Sequence, residues 1–162
     1  MKTVIIIPAR YKSTRFPGKP LTPILGKPMI LWVAELCAEA LPAQCVYIAT
    51  EDFQIKEVVE KAGFNVVMTS NKCLTGTDRI AEAATKIEAD IYINVQGDEP
   101  LLNPADILTI IETKKMHPNE VINGYSKIGD NEDPESANIP KVIFNESQLM
   151  VYISQIGRAS CR

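Results

Sequence analysis

The sequence contains one histidine and no paired cysteines, and these absences argue against several kinds of catalytic centre. His117 stands before Pro118 at the end of a predicted helix, a position typical of a solvated side chain. His-based triads and His-rich zinc sites are therefore not expected. The four cysteines form no CxxC pair and lack metal-ligand spacing. We expect free thiols in a reducing compartment.

Long apolar runs are also missing from the chain. Met29–Ala34 is the longest, and Val4–Ile7 ends at Pro8. Both are too short for a signal peptide or a membrane span, so we expect neither export nor a membrane partner. The 162 residues are 46% apolar, 23% charged and only 6% aromatic. This composition predicts one soluble globular domain in the cytoplasm.

Acidic residues are absent from the first 34 positions, which contain six bases. The rest of the chain contains eleven bases and twenty acids, so the net charge of −3 divides into +6 and −9. An acidic chain with a basic end is poorly suited to nucleic acid, which we do not expect as a partner. It can still hold one local anion site. A solvated basic loop is the alternative interpretation.

The apolar residues follow a pattern in which strands and helices alternate. Strands are predicted at Thr3–Ile7, Val46–Ala49, Val66–Met68, Ile91–Val95, Val121–Tyr125, Lys141–Phe144 and Met150–Ile153. Helices are predicted at Pro28–Ala40, Gln54–Ala62 and Asp78–Glu88, and from the N-cap Asn103 to His117. Buried strands between helices predict an α/β class, a three-layer α/β/α fold around a mostly parallel sheet. Ligands of such folds bind beyond the carboxyl ends of the strands, which selects the loops 8–20, 69–77 and 96–100.

The first of these loops carries four bases. Arg10, Lys12, Arg15 and Lys19 follow a buried strand, and two prolines stiffen the second half of the loop. A nucleoside triphosphate carries about four negative charges, and one unit-charge pair near 4 Å contributes about 4 kcal/mol at an effective dielectric near 20. Several converging bases would therefore dominate its binding and stabilise a pyrophosphate leaving group. The loop is neither a Walker motif nor a GxGxxG turn.

The other two loops offer a carboxylate and a helix start. Asp98 follows a buried strand and Gly97, a position from which a carboxylate can hold a divalent metal against phosphate oxygens. Leu74–Arg79 places hydroxyls, a glycine and a base at a helix N-terminus, which favours an anion or a ribose. Taken singly, the two segments are also consistent with a plain turn and an ordinary helix start.

Four segments together resemble one family. They are residues 6–21 (IIPARYKSTRFPGKPL), 26–30 (GKPMI), 76–79 (GTDR) and 95–100 (VQGDEP). In this order they are similar to the 3-deoxy-manno-octulosonate cytidylyltransferases, or CMP-Kdo synthetases, over residues 3–154. The resemblance implies a Rossmann-like nucleotidyltransferase that couples CTP to the sugar acid Kdo and releases pyrophosphate. It also implies a requirement for Mg²⁺ and a role in lipopolysaccharide biosynthesis.

The resemblance implies roles for individual residues as well. Arg10, Arg15 and Lys19 would hold the triphosphate and the leaving pyrophosphate, and together with Asp98 they form the implied catalytic set. Asp98 would ligate Mg²⁺, and Gln96 would face the sugar acid. The remaining implied nucleotide-binding residues are Pro8, Ala9, Ser13, Thr50, Gly76, Arg79 and Gly97.

The chain departs from the family pattern at three places. Glu51 and then Asp52 follow Thr50, where the family usually has aspartate directly, and Pro140 interrupts the stretch 138–143. The family continues after the last strand with sugar-binding residues, most of the dimer contact and a second magnesium aspartate. We therefore expect residues 1–154 to be the nucleotide-binding part of one C-terminally truncated domain, without the family's homodimer. Residues 155–162 are expected to be a non-native tail, because the last seven resemble sequencing-adapter read-through.

Three alternatives compete with this interpretation. The sugar acid could be an 8-amino-Kdo, legionaminic or sialic type, although the first loop favours Kdo because sialic-type enzymes look more like Ala-Arg-Gly-Gly-Ser-Lys there. A glycosyltransferase would need an Asp-x-Asp metal motif, which Gly97–Glu99 lacks. The chain as it stands could also bind CTP without turning it over.

Overall fold

The structure is a computed structural model that describes residues 1–12, 16–129, 131–136 and 139–154. Its two compact units are Met1–Ile122 and Asn123–Arg162. The strands are β1 Thr3–Pro8, β2 Pro23–Ile24, β3 Lys27–Pro28, β4 Val46–Thr50, β5 Asn65–Met68, β6 Ile91–Asn94, β7 Lys141–Phe144 and β8 Met150–Ser154. The α-helices are α1 Met29–Ala40, α2 Phe53–Lys61, α3 Gly76–Ala84 and α4 Pro104–Met116. All three loops selected from the sequence fall in the first unit.

The first unit is built on a four-stranded parallel sheet with the order β5-β4-β1-β6. β1 lies between two partners, and its register joins Ile6 to Tyr47 of β4 and to Asn94 of β6. The continuous apolar run of β1 suits this position, because a strand between helical layers is buried on both faces. The predicted parallel sheet is confirmed.

Helices cover both faces of this sheet. Ile5 and Ile7 pack in one cluster with apolar residues of α1, α2 and α4. Val4 and Ile6 point to the opposite face, where they pack with Ala83 of α3. All four β1 side chains are fully buried, and each contributes about 2 kcal/mol of hydrophobic stabilisation. The alternation of side chains along β1 therefore produces the predicted three layers.

The start of α3 differs from the prediction. The helix begins at Gly76 instead of Asp78, and it ends at Ala84 instead of Glu88. Thr75 is its N-cap: the Thr75 hydroxyl accepts from the Asp78 N–H at 3.1 Å, and the Asp78 carboxylate accepts from the Thr75 N–H at 2.9 Å. This reciprocal capping box makes Asp78 the third helical residue, so it lies inside the first turn.

Polar caps also set the starts of α2 and α4. The Asp52 carboxylate accepts from the N–H groups of Gln54 and Ile55 at 2.9 and 3.1 Å, which begins α2 at Phe53. Asn103 caps α4 as predicted, with its side-chain oxygen accepting from the Ala105 N–H at 3.1 Å. None of the helices in the described residues is long and apolar enough to cross a membrane.

The second unit contains an antiparallel hairpin of β7 and β8. Asn145 stabilises the turn between these strands, because its side-chain oxygen accepts from the N–H groups of Ser147 and Leu149, both at 3.0 Å. The ring of Phe144 lies 5.2 Å from that of Tyr125, and the Tyr125 hydroxyl donates to Gln148 at 3.2 Å. These contacts are local to the unit.

The strand predicted at Val121–Tyr125 is wrong. These five residues take part in none of the ladders that the structure describes, and Val121 is 88% exposed. A strand needs a partner for its backbone N–H and C=O groups as well as an apolar sequence. The side-chain pattern showed the apolar sequence, but it contained no information about a partner strand.

The cysteines within the described ranges are free thiols, as expected. They are Cys37, Cys45 and Cys73. Cys37 is buried in the apolar face of α1, and desolvation raises the pKa of its thiol to about 12. A thiol with that pKa stays protonated at neutral pH, so Cys37 is a structural residue of the core. Cys161 lies outside the described residues.

Candidate active site

The carboxyl ends of the four parallel strands meet at one edge of the sheet. From β1 the chain runs through α1 to β4 on one side, and it later returns to β6 on the other side of β1. The order of the strands therefore reverses between β1 and β6, and such a switch point leaves a crevice for a ligand. The three loops selected from the sequence all lie at this edge.

Lys19 and Asp98 meet at this switch point. The Lys19 ammonium nitrogen lies 2.6 Å from Asp98 Oδ2. Their side chains are 43% and 49% exposed, so a ligand can reach both. An ion pair with that exposure contributes at most about 1 kcal/mol to stability. The binding of a polyanion or a metal ion can readily replace it. The structure thus brings together two residues that the sequence placed in different loops.

Backbone geometry fixes the position of Lys19. Gly18 has φ +70°, a left-handed conformation that favours glycine, and its N–H donates to the Tyr11 carbonyl at 2.9 Å. This bond closes the loop at its base. A short 3₁₀ helix, Lys19–Leu21, begins at the next residue and buries Pro20. Lys19 therefore projects from a segment with little backbone freedom.

The three loops converge on Pro8, at the end of β1. A Cβ atom on Gly97 would lie 3.0 Å from the Pro8 carbonyl oxygen, so the loop after β6 packs directly against the end of β1. A Cβ atom on Gly76 would lie 3.4 Å from Pro8 Cγ and 3.8 Å from Gln96 Oε1. Pro8, Gly76, Gln96 and Gly97 are thus neighbours, and their implied roles stay predictions.

Ala9 and Thr50 belong to the framework beneath the crevice. The Ala9 N–H donates to the Ala49 carbonyl at 2.8 Å, which extends the β1–β4 ladder past Pro8. Thr50 is fully buried, and its hydroxyl accepts from the Asp52 N–H at 3.1 Å. Their predicted contact with a nucleotide stays a prediction.

Arg10 is exposed at the rim of the crevice. Its NH1 lies 3.5 Å from the Leu74 carbonyl oxygen, at the outer limit of a hydrogen bond. The loop after β1 and the loop after β5 therefore approach each other at Arg10. Ser13 and Arg15, the other predicted residues of this loop, lie outside the described residues, as does the segment 155–162.

Arg79 is also a buried candidate. Only 4% of its side chain is exposed, and its NH2 lies 2.7 Å from Glu51 Oε2. Its NH1 donates to the Thr69 hydroxyl. The guanidinium thus joins the carboxyl ends of β4 and β5. A direct contact of Arg79 with the nucleotide stays a prediction.

Sequence reasoning missed two carboxylates next to the site. Glu51 was noted only as a departure from the family pattern, yet it is the ion-pair partner of Arg79. Glu82 was not singled out, and it accepts from the Ser70 N–H and the Cys73 thiol. The spacing of Arg79 and Glu82 along one helix was the available signal, because residues three apart share a face.

Asp98 and Glu99 are the carboxylates at the end of the loop after β6. Desolvation, and then the negative charge of Asp98, raise the pKa of Glu99. The chain does not group three or more His, Cys, Asp or Glu side chains as a metal site anywhere in its described part. A cation at Asp98 would therefore need ligands from elsewhere, such as phosphate oxygens and water.

Comparison with known proteins places the chain in a family. The sequence model of the cytidylyltransferases matches residues 4–156. The chain belongs to the cytidylyltransferase family. Among solved structures, it is similar to a CMP:2-keto-3-deoxy-manno-octonic acid synthetase complexed with CTP, with a TM-score of 0.84 and 37% identity. That match covers 100% of this chain and 67% of the relative, and it confirms the predicted α/β/α nucleotidyltransferase fold.

Two curated relatives of the chain carry different substrate names. It is 42% identical to the 8-amino-3,8-dideoxy-manno-octulosonate cytidylyltransferase of Shewanella amazonensis, over 96% of the chain and 65% of that protein. It is 41% identical to the 3-deoxy-manno-octulosonate cytidylyltransferase of Escherichia coli, over 95% of the chain and 63% of that protein. The chain thus spans somewhat less than two thirds of the length of these relatives.

Proposed function

We propose that this chain is the nucleotide-binding part of an enzyme that couples CTP to a sugar acid of the Kdo class and releases pyrophosphate. The observation that carries the proposal is the meeting of Lys19 and Asp98, 2.6 Å apart, at the switch point of the sheet. A base for phosphate and a carboxylate for a metal ion are the two groups that nucleotidyl transfer needs most. The names of the relatives supply the nucleotide and the substrate class.

The bases of the first loop act on the triphosphate. Arg10, Arg15 and Lys19 neutralise its charge, and they hold the pyrophosphate as the bond from the α-phosphorus to its bridging oxygen breaks. The anomeric hydroxyl of the sugar acid attacks the α-phosphorus in line with that bond. Gln96 faces the sugar acid from the neighbouring loop. Positioning and charge neutralisation provide most of the acceleration.

Asp98 is the residue we propose for Mg²⁺. Its carboxylate oxygens are hard ligands, its side chain is half exposed, and it stands beside a phosphate-binding base. Mg²⁺ usually takes one or two protein carboxylates and completes its shell with phosphate and water, so the donor set fits the ion. When bound, the ion would supply positive charge against the phosphate oxygens. The Lys19 ammonium would then pair with a phosphate oxygen instead of Asp98.

Kdo is the sugar acid we propose, and 8-amino-Kdo is the alternative. Relatives named for each substrate have nearly equal identity to this chain, 41% and 42%. A complete enzyme that contains this chain, assayed for pyrophosphate release with CTP, Mg²⁺ and each sugar acid, separates the two. We expect the larger kcat/KM with Kdo, in an enzyme that serves lipopolysaccharide biosynthesis. A larger kcat/KM with the amino sugar would replace Kdo by the alternative.

The 162-residue chain alone is expected to bind CTP with little or no turnover. The same pyrophosphate assay on this chain, beside a full-length relative such as the Escherichia coli enzyme, tests this expectation. Robust release by the chain alone would contradict the view that part of the catalytic machinery lies in the remaining length of the relatives. Absence of pyrophosphate release by the complete enzyme with either sugar acid would contradict the proposed function.

A further inference from the structure

Three charged side chains on one side of α3 bind three successive residues at the end of β5. Arg79 and Glu82 belong to α3, and Lys86 follows in the turn after it. Their spacings of three and four residues place them on the same side. Their partners are, in turn, the Thr69 hydroxyl, the Ser70 N–H and the Met68 carbonyl oxygen.

Glu82 is the centre of this arrangement. Its two oxygens accept from the Ser70 N–H at 2.9 and 3.0 Å, from the Lys86 ammonium at 2.8 Å and from the Cys73 thiol at 3.3 Å. The hydrogen bond from Lys86 is the largest of several that lower the pKa of Glu82 to about 2. The carboxylate is therefore ionised throughout the neutral range and presents acceptors to all three donors.

The segment that Glu82 holds leads directly into the candidate site. The Ser70–Glu82 bond closes a loop that contains residues 71–75 and the first turns of α3. At the far end of this loop, the Leu74 carbonyl faces Arg10 and Gly76 lies against Pro8. A shift of the loop would therefore move one wall of the crevice relative to the bases of the first loop.

We propose that Glu82 is a positioning residue for nucleotide binding, which fixes the loop after β5 by holding the Ser70 amide and the Cys73 thiol from α3. Lys86 keeps the carboxylate in place from one side, and the buried Arg79 anchors the neighbouring Thr69. This role rests on the proposed function, because its expected effect is on the affinity for CTP.

The test compares two isosteric substitutions in the whole chain. Glu82→Gln keeps the shape of the side chain but removes the charge that binds Ser70 and Lys86. Glu60→Gln is the matched control, since Glu60 pairs with Lys56 at 3.0 Å on α2 at the same i,i+4 spacing. We expect Glu82→Gln to weaken CTP binding about tenfold, which corresponds to the loss of one charge-assisted hydrogen bond that holds the loop. Glu60→Gln should leave CTP binding unchanged. Equal CTP affinities of Glu82→Gln and the wild type would overturn the positioning role.

Two readouts measure the loop without any nucleotide. Hydrogen exchange at the Ser70 amide should be faster in Glu82→Gln, and Lys86→Met should give a smaller acceleration of the same sign. Desolvation, followed by the hydrogen bond and the charge of Glu82, raises the pKa of the Cys73 thiol. Alkylation of Cys73, followed by peptide mass spectrometry, should therefore also be faster in Glu82→Gln.

The two kinds of readout separate the two proposals. Unchanged exchange at Ser70 together with unchanged alkylation of Cys73 would overturn the inference about Glu82, whatever the CTP affinity. A wild-type chain that binds no CTP would contradict the proposed function and the positioning role together. The exchange and alkylation rates would still decide whether Glu82 holds the loop.

Discussion

Gly97 and Gly76 are both close to Pro8, but only at Gly97 would a side chain crowd its neighbours. A Cβ atom there would lie 3.0 Å from a backbone oxygen and 3.3 Å from Ile30 Cδ1, whereas at Gly76 the shortest contact is 3.4 Å. We expect Gly97→Ala to lower the free energy of unfolding by about 1–3 kcal/mol, as overpacking does. Gly76→Ala should change it little. Urea unfolding of the two variants checks this, and equal effects would contradict the close packing of the loop on β1.

Arg79 and Glu51 form an ion pair that is largely removed from water. Their side chains are 4% and 15% exposed. Arg79→Met would leave the Glu51 carboxylate without its partner, and we expect a loss of about 3 kcal/mol in the free energy of unfolding. The double variant Arg79→Met, Glu51→Gln should recover part of that loss. A double variant as unstable as the single one would show that the abandoned carboxylate is not the cause.

Arg79 also illustrates where sequence reasoning about single residues stops. A base four residues after a helix cap is typical of an anion site, and the sequence gives no sign that Glu51, 28 positions earlier, lies beside it. Lys19 and Asp98 were placed at one edge of the sheet from the sequence, and they meet there in the structure, because strand ends alone determine that edge. Burial and pairing of a charge depend on long-range packing, which a local pattern does not contain.

At the scale of elements, the capping box of α3 controls where the site's helix begins. The Thr75 hydroxyl accepts from the Asp78 N–H, and the next residue, Gly76, lies beside Pro8. We expect Thr75→Ala to lower the free energy of unfolding by about 1 kcal/mol. Thr75→Ser should retain most of the stability that the cap contributes. Thermal or urea unfolding of both variants measures this. A serine variant as unstable as the alanine variant would argue against the cap.

The elements were predicted well wherever two local signals agreed. α4 combined an apolar face with Asn103 and Pro104, and β1 combined a continuous apolar run with a proline at its end. The predicted strand at Val121–Tyr125 had an apolar pattern alone and is wrong, since no partner strand pairs with it in the structure as described. Neither the strand order nor the division into two units follows from local patterns, because both depend on pairing across the chain.

At the scale of the whole molecule, acid stability should depend on Glu82. Folding lowers its pKa from 4.5 to about 2. The folded state therefore binds fewer protons than the unfolded state, so Glu82 stabilises the fold fully above pH 4.5, and this contribution is lost as the pH falls towards 2. We expect the unfolding midpoint of Glu82→Gln to fall less than that of the wild type between about pH 6 and about pH 3. Glu60→Gln is the control, and parallel curves for all three proteins would contradict the assignment.

The uneven charge of the chain fits the arrangement of the first unit. The six bases of the first 34 residues include Arg10 and Lys19, which stand at the carboxyl edge of the sheet, although the chain as a whole has a net charge of −3. Local clustering of positive charge at a crevice attracts a polyanion despite the net sign, and salt weakens that attraction. The fold thus places two of these six bases at one edge of the sheet.

Titration of CTP onto the chain in the presence of Mg²⁺, followed by calorimetry, tests the central claim most directly. The account predicts that the wild type binds, that Lys19→Met lowers the affinity by about 10- to 100-fold, as expected for a lost charge-assisted bond, and that Lys127→Met has no effect. Lys127 is an exposed base of the second unit and serves as the control. A wild-type chain that does not bind CTP, or equal affinities of the two lysine variants, would contradict it.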